Sequence, residues 1–592
     1  MRNIDTISMF LIGMFLVGFL PGFRVAAAEA AGGKVVINEL LASNKDTNRD
    51  EDGHSSDWLE LYNPSPARVN LSGYRLSDDL ADQEKWIFPD VSIPPGGYLL
   101  LWMSGKNRCE QSALTGIVHA SFRLSKRGGR LFLIDPRGEL VDRVKFPKQM
   151  SDQSYGRSPD GSPAWFYFVT PTPHAANTKK PFFGPLNTKV EISPPPGRHP
   201  RRIEVNIVAT TARRLTIRYT TDGTRPTIAS PVFTDTFYIS DNTIVRAAGF
   251  IGSERATKEL RADYFIGLPG RLPILSLLMD KDEFSFVQLK SRVRGRAAER
   301  GARLVIIGDN GREAVSTGVG LRLHGQVGRL GDFDAKKSFR IYFRRKYGVA
   351  RLAYPVIPGS SQQKFDVLVL RALFDDRFRK VMNRFDLRSA YIRDQVIRDL
   401  HREMGGLSPS GSWYILFVNM QFRGLYNLVE RIDEDFLQAQ SKTSQWDLIR
   451  GEHQGDIATV GTIEAWDTAC QFIASSDLSQ QDFYEKAKQY IDIKDFTGYI
   501  ILNLWAQNFD WPITNWYAAK LRIENAKWVF FCWDSEFAFD LDGVGIADDS
   551  MKRLAAEEGC VTKIFNALMK SPAYRAYFGQ ELERHLAGVL KT

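Results

Sequence analysis

Asn508-Phe509-Asp510-Trp511-Pro512-Ile513-Thr514-Asn515-Trp516-Tyr517 (508–517), followed by Phe530-Phe531-Cys532-Trp533-Asp534-Ser535-Glu536 (530–536), is the stretch from which the rest of the chain can be ordered. The apolar run from Phe496 to Leu504 leads into it and reads as helix, and Trp516-Tyr517-Ala518-Ala519 reads as strand. Asp510 and Asn515 thus share a loop, five positions apart. An Asp so placed can accept the proton of an attacking hydroxyl while the Asn ligates a metal. The second stretch reads as a strand that delivers Asp534 at its end, and Glu536, two residues on, points to the same side. Such a pair suits Mg²⁺, which binds through one or two carboxylates together with substrate phosphates.

Working upstream, Gly325-Gln326-Val327-Gly328-Arg329-Leu330-Gly331 is a glycine-bearing loop whose backbone N–H groups can approach phosphates. Lys336-Lys337-Ser338-Phe339-Arg340-Ile341-Tyr342-Phe343 reads as the next strand. Lys337 has the parity of Phe339, Ile341 and Phe343, and is the lysine expected to meet phosphate; Lys336 goes with Ser338 and Arg340. Asp386 to Met404 reads as a helix whose Asp394, Asp399 or Glu403 could pair with the strand lysine. Trp413–Val418 and Gly424–Glu430 read as two further strands. Arg329 and Arg371 are candidates to clamp phosphate, with pairing to acids such as Asp375 and Asp376 as the alternative.

The order is glycine loop, strand lysine, helix, two strands, catalytic-type loop, metal carboxylate. In this order, residues 272–592 resemble the spore-coat protein H (CotH) kinase family of divergent protein kinases. The matching residues are GLRLHGQVGR (320–329), KKSFRIYFRRKYG (336–348), LVLRA (368–372), YIRDQVIRDLHREMG (391–405), FRGLYNLVERIDEDFL (422–437), NFDWPITNWY (508–517) and WDSEF (533–537). The resemblance implies ATP- and Mg²⁺- or Mn²⁺-dependent phosphorylation of proteins. It implies Asp510 as catalytic aspartate, Asn515 and Asp534 as metal ligands with Glu536 beside them, and Lys337 on phosphate with Gly325 and Arg329. It places Glu430 on the nucleotide side, near the hinge. No His-Arg-Asp precedes the loop and no Asp-Phe-Gly follows it; Glu536 stands where the family often has a second Asp.

Residues before 272 are of another kind. Between 34 and 178, short apolar runs bounded by Gly, Pro, Asn and Asp read as an all-β sandwich. VINELLASN (36–44), DWLELYNPS (57–65), LSGYRLSDD (71–79), WIFPDVSIPPGGYLLLW (86–102) and SYGRSPDG (154–161) resemble the lamin-tail domain family. That implies an immunoglobulin-like sandwich used for attachment or protein contact. Residues 186–267 read as a second β segment, and IRYTTDGTRPT (217–227), SPVF (230–233) and TIVRAAG (243–249) resemble the chitobiase/β-hexosaminidase C-terminal domain family. The expected fold is therefore two Ig-like sandwiches followed by an α+β, bilobal kinase-like domain. Asp46 to Asp52 forms an acidic loop before Gly53 that resembles a Ca²⁺ loop; position twelve counted from Asn48 is Leu59, so a solvated acidic turn is the favoured reading.

Composition sets the outer limits. The chain has 592 residues, 43% hydrophobic and 25% charged, which excludes a disordered tail. Four cysteines exclude a disulfide scaffold, and their spacing does not form a zinc site; Cys532 with Cys560 is a possible pair, with free buried thiols as the alternative. Ile7 to Leu20 is apolar for 14 residues, is broken by Pro21-Gly22, and precedes Ala26-Ala27-Ala28. That is the pattern of a signal peptide over 1–28, with a secreted, periplasmic or cell-surface destination and no membrane span after cleavage. The formal charge of +9 demands no nucleic acid. Its distribution is uneven: residues 301–400 hold 20 Lys+Arg and 10 Asp+Glu, residues 451–550 hold 6 and 17. The expected partners are ATP and a basic Ser/Thr-containing protein segment, with a cell-envelope polymer for the sandwiches. The rival class is a non-catalytic surface scaffold that keeps a kinase-like domain.

Overall fold

The computed structural model describes residues 34–592 apart from 111–116, 180, 183–188, 211–214, 290–291, 326–335, 374–379, 382–383, 386–388, 442, 444, 540–548 and 592. The expected signal peptide and Arg329 lie outside the described residues. The chain divides into two compact units, Met1–Asn48 with Ser56–Pro185, and Arg49–Ser55 with Leu186–Thr592. No helix among the described residues is long and apolar enough to cross a membrane.

The first unit is built on a seven-stranded sheet with a separate three-stranded one. Val36–Leu41 pairs antiparallel with both Trp58–Tyr62 and Ser154–Arg157, so the two ends of the segment meet in one sheet. Alternation sends Ile37, Leu59 and Leu61 into the shared core with Leu131 and Leu133 of the other sheet. The opposite side carries a buried polar layer. Glu39 and Glu60 face each other in register on adjacent strands, and both are fully buried. Thr172 donates its N–H and hydroxyl to Glu39, and the His174 N–H donates to Glu60 at 2.6 Å. Burial raises the Glu39 carboxyl to about 7 and that of Glu60 to about 9, the charge of Glu39 adding to the latter. Both carboxyls bind protons more tightly folded than unfolded. Their contribution to stability is therefore complete below the unfolded value near 4.5 and is lost as pH rises through 7 to 9. Thermal unfolding of the full chain between pH 5 and pH 9 is expected to show a falling midpoint. Glu60→Gln, a neutral isostere of the protonated acid, should flatten that slope; an unchanged slope would show that this pair does not titrate as described.

Asp50, Asp52 and His54 lie close enough to share a ligand, but the Asp50 carboxylate already accepts the Asp52 and His54 N–H groups at 3.1 and 2.9 Å. These two bonds brace the turn.

In the second unit a three-stranded and a five-stranded sheet form the second sandwich around Val205, Val245, Ala247 and Tyr264. This sandwich is continuous with the barrel C-terminal to it: Phe265 packs with Ile274, Val305, Ile307 and Phe417, and Ser276 Oγ donates to Asp263 at 3.1 Å. The barrel is closed and consists of Ile274–Leu278 (β1), Arg300–Ile307 (β2), Glu313–Leu323 (β3), Phe339–Tyr342 (β4), Val367–Arg371 (β5), Gly411–Val418 (β6) and Gln421–Glu430 (β7). β6 closes the ring by pairing parallel with β1. Every second residue points inward: Val319, Leu321 and Leu323 on β3, Phe339 and Ile341 on β4, with Phe343 continuing the row. The opposite parity of β3 and β4 is what faces outward.

The other lobe is a four-stranded sheet, Trp446–Arg450 (β8), Ile457–Val460 (β9), Trp516–Leu521 (β10) and Val529–Cys532 (β11), in the order β9-β8-β10-β11. It is surrounded by helices. Arg393–Glu403 (α1) and Ile493–Trp505 (α2) pack on β11, and their core includes Ile397, Tyr499, Trp466, Trp528 and Phe530. Asp492 caps α2 by accepting the Asp495 N–H. The disulfide differs from the pairing expected: Cys470 joins Cys560, with Cα atoms 5.9 Å apart, where the helix Glu464–Ser475 meets the helix Cys560–Leu568. Cys532 is a buried free thiol. It ends β11 under α2, within reach of Asn503, and burial pushes its ionisation far above the ordinary thiol range.

Candidate active site

A cavity of about 770 Å³ opens in the second unit, bordered by the outer face of β3 and β4 and by the loops after α2 and β11. That volume is in the range of small-molecule sites. The hydrophilic end of β11 builds its floor. Val529–Cys532 is buried strand, and Trp533 (8% exposed) turns the chain out of the core. Asp534 then takes a left-handed backbone conformation (φ 60°), which brings its carboxylate and that of Glu536 to one guanidinium. The guanidinium is that of Arg371, the last residue of β5.

Arg371 is only 4% exposed, and a charge so buried has to be paired. Its Nη2 meets Asp534 Oδ1 and, at 2.7 Å, Glu536 Oε1; its Nε lies 3.5 Å from Asp394 Oδ2. The guanidinium also lies 4.8 Å from the Trp533 ring centroid. Asp394, in the first turn of α1, is fully buried, accepts the Ser535 N–H at 3.0 Å and is held by Arg398 Nε at 3.0 Å. Despite its burial, the two arginines keep the Asp394 carboxyl below its ordinary value, while the three carboxylates hold the Arg371 guanidinium protonated. Asp394, Asp534 and Glu536 thus share the Arg371 guanidinium, and Asp394 also meets Arg398. The strand cation expected to pair with the α1 helix is an arginine of β5, not the lysine before β4.

Asp510 lies across the cavity, exposed to it. Asn515, also left-handed (φ 64°), donates its amide nitrogen to the Asp510 carboxylate at 2.7 Å and to the Asp510 carbonyl at 3.1 Å. The amide oxygen of Asn515 is thereby turned away and is left as an acceptor. Partial burial and the charge of Asp534 raise the Asp510 carboxyl, and the bond from Asn515 pulls it back.

The cavity brings together Gly325, Asp510, Asn515, Asp534 and Glu536 of the residues singled out from the sequence. Gly325 is left-handed (φ 89°), and no described residue comes within 4 Å of a side chain placed there. Lys337 and Glu430 are not among the lining residues. Lys337 follows the inward parity, and inward in a barrel is the core. It is 3% exposed, and its Nζ donates to the Gln288 carbonyl at 3.1 Å, in the last turn of the helix Lys281–Leu289, where a cation is favourable. Glu430 is buried at the end of β7, where it accepts the Ser360 hydroxyl and the Ser410 N–H; burial raises its carboxyl. The cations that do line the cavity include Arg322, Arg340 and Arg371. The signal for the first two was in the sequence, on the opposite parity of the same strands.

The donor set fits a hard divalent cation: the Asp534 and Glu536 carboxylates and the Asn515 amide oxygen are all oxygen ligands. Arginines across the cavity fit an anionic partner.

Family comparison bears on this site. Residues 321–592 match the family model of CotH kinase protein, 28–148 that of the Lamin Tail Domain, and 194–259 that of the Chitobiase/beta-hexosaminidase C-terminal domain. No curated protein matches the chain. The chain thus carries these three family segments in the order expected, β-rich first and then a mixed α+β kinase-like domain that holds most of the cavity lining.

Replacing Arg371 by Met would leave Asp394 and Glu536 buried beside an apolar chain. A loss of about 3–5 kcal/mol is expected, read from the midpoint of urea unfolding. A midpoint within about 0.5 kcal/mol of wild type would mean the cluster does not hold the lobes.

Proposed function

We propose that the chain is an exported phosphotransferase that moves the γ-phosphoryl group of ATP to a Ser or Thr hydroxyl of an envelope or secreted protein. The observation that carries this reading is the convergence of Asp510, Asn515, Asp534 and Glu536 on one cavity within the kinase-like segment. Asp510 accepts the proton of the attacking hydroxyl, and Asn515 fixes the Asp510 carboxylate in position. Asp534, Glu536 and the Asn515 amide oxygen would hold Mg²⁺ or Mn²⁺, which supplies neutralisation of phosphate charge. Export is supported by the Ile7–Leu20 apolar run and by the Cys470–Cys560 disulfide, a bond typical of oxidising compartments. The two β-sandwiches serve attachment to a cell-envelope polymer or protein.

In a transfer assay with labelled ATP and envelope extract, wild type should label an acceptor. Asp510→Ala and Asp534→Ala should each reduce the rate by at least about a hundredfold. Labelling that survives both substitutions would overturn these roles.

The acidic block of residues 451–550 contributes Glu452, Asp510, Asp534 and Glu536 to the cavity. It should steer basic acceptors. A Lys-rich Ser peptide is expected to outcompete an Asp/Glu-rich one at low salt, with the preference shrinking as salt rises. The reverse order would refute steering.

One observation favours the rival reading of a non-catalytic scaffold: Lys337 stands outside the cavity lining. Absence of any thermal shift at saturating ATP and Mg²⁺ would support that reading.

A further inference from the structure

We propose that the phosphate chain of the nucleotide is gripped by Arg340 together with Arg322, in place of the strand lysine. The inference rests on the phosphotransfer reading and assigns its anion-binding wall.

Arg322 on β3 and Arg340 on β4 are direct partners in the antiparallel register, and both line the cavity. Like charges directly opposite across a strand pair repel. An anion between them removes that cost.

The two guanidinium groups are incompletely used. Arg340 Nε donates to His324 Nδ1 at 3.0 Å, which makes that ring nitrogen an acceptor and orients the guanidinium. Among the described residues, the terminal nitrogens of Arg340 have no hydrogen-bond partner, and no carboxylate forms an ion pair with it. Arg322 pairs through Nη2 with Glu299, while its Nε is buried with no hydrogen-bond partner among the described residues. Glu299 is itself shared with Arg344 and Lys346, so three cations face one carboxylate there. Of these cations, Arg322 lines the cavity beside Arg340.

Of the other cations at the cavity, Arg294 is exposed and Arg450 pairs with Glu452. Arg371 is matched by Asp394, Asp534 and Glu536. Lys337 is committed to the Gln288 carbonyl, and Lys336 to the Leu425 carbonyl with its ammonium 4.4 Å from the Tyr426 ring centroid. An arginine fork with open terminal nitrogens offers two parallel N–H donors to a phosphate, which a lysine cannot. Across the cavity stand the acids Asp510, Asp534 and Glu536. The cavity therefore presents a cationic wall for phosphate oxygens and an oxygen-rich wall for a divalent cation.

The test is calorimetric titration of the full chain with ATP, ADP and adenosine in the presence of Mg²⁺, with thermal melting of each variant as a check on folding. Arg340→Met should weaken ATP and ADP by about tenfold to a hundredfold and adenosine by about twofold or less. Arg340→Lys, which keeps the charge but loses the fork, should fall between. An Arg340→Met variant that binds ATP as wild type does overturns the inference. So does an equal loss for adenosine and ATP, or a folded Lys337→Met variant that loses more ATP affinity than Arg340→Met. Wild type that binds none of the three ligands overturns this inference and the phosphotransfer reading together. Wild type that binds ATP beside an unaffected Arg340→Met overturns this inference alone.

Discussion

The guanidinium of Arg371 joins the two lobes of the second unit at the cavity floor. It ends a barrel strand, yet its partners come from the other lobe: Asp394 on α1, and Asp534 and Glu536 beyond β11. A buried ion cluster of this kind contributes modestly to stability over an apolar substitute, but it is costly to break and strict in its geometry. Here the strictness matters. The same contacts that neutralise Arg371 set the positions of the two carboxylates on the cavity floor, and the Ser535 N–H, bonded to Asp394, fixes the turn between them. The left-handed backbone of Asp534 is held by these bonds.

The closure of the barrel decides the other wall. A strand of a closed barrel has one face in the core and one face available to a site, so the apolar parity of β4 is the wrong place to look for a cavity cation. Lys337 shows this: with the parity of Phe339 and Ile341 it runs to the end of the barrel and meets a helix carbonyl. Ser338, Arg340 and Tyr342, on the alternate parity, line the cavity, and Arg322 and Gly320 are the register partners of Arg340 and Tyr342. Gly320 leaves room beside Tyr342 that a side chain would contest with Glu299 and Tyr347.

Burial of charge recurs as the organising cost elsewhere. In the first unit, Glu39 and Glu60 face each other with backbone, hydroxyl and amide donors but no cation among the described residues, and so are held toward the neutral form. In the second, Asp394 is as deeply buried but has two arginines, and is held ionised. The contrast is one of partners, not depth.

Local sequence was enough for the β-rich and α+β segments, for the order of the kinase-like motifs, and for the loop and strand end that carry Asp510, Asn515, Asp534 and Glu536. These features are set by residue spacing, strand parity and turn residues over about ten positions. The remainder exists only in the folded chain. Arg371 meets Asp534 across 163 positions of chain, and Cys470 meets Cys560 across 90. Whether the inward side of β4 is core or cavity depends on the barrel closing through β1 and β6, a pairing that no single strand encodes. The parity of a strand is readable from its residues, but which parity faces the site is a property of the closed sheet.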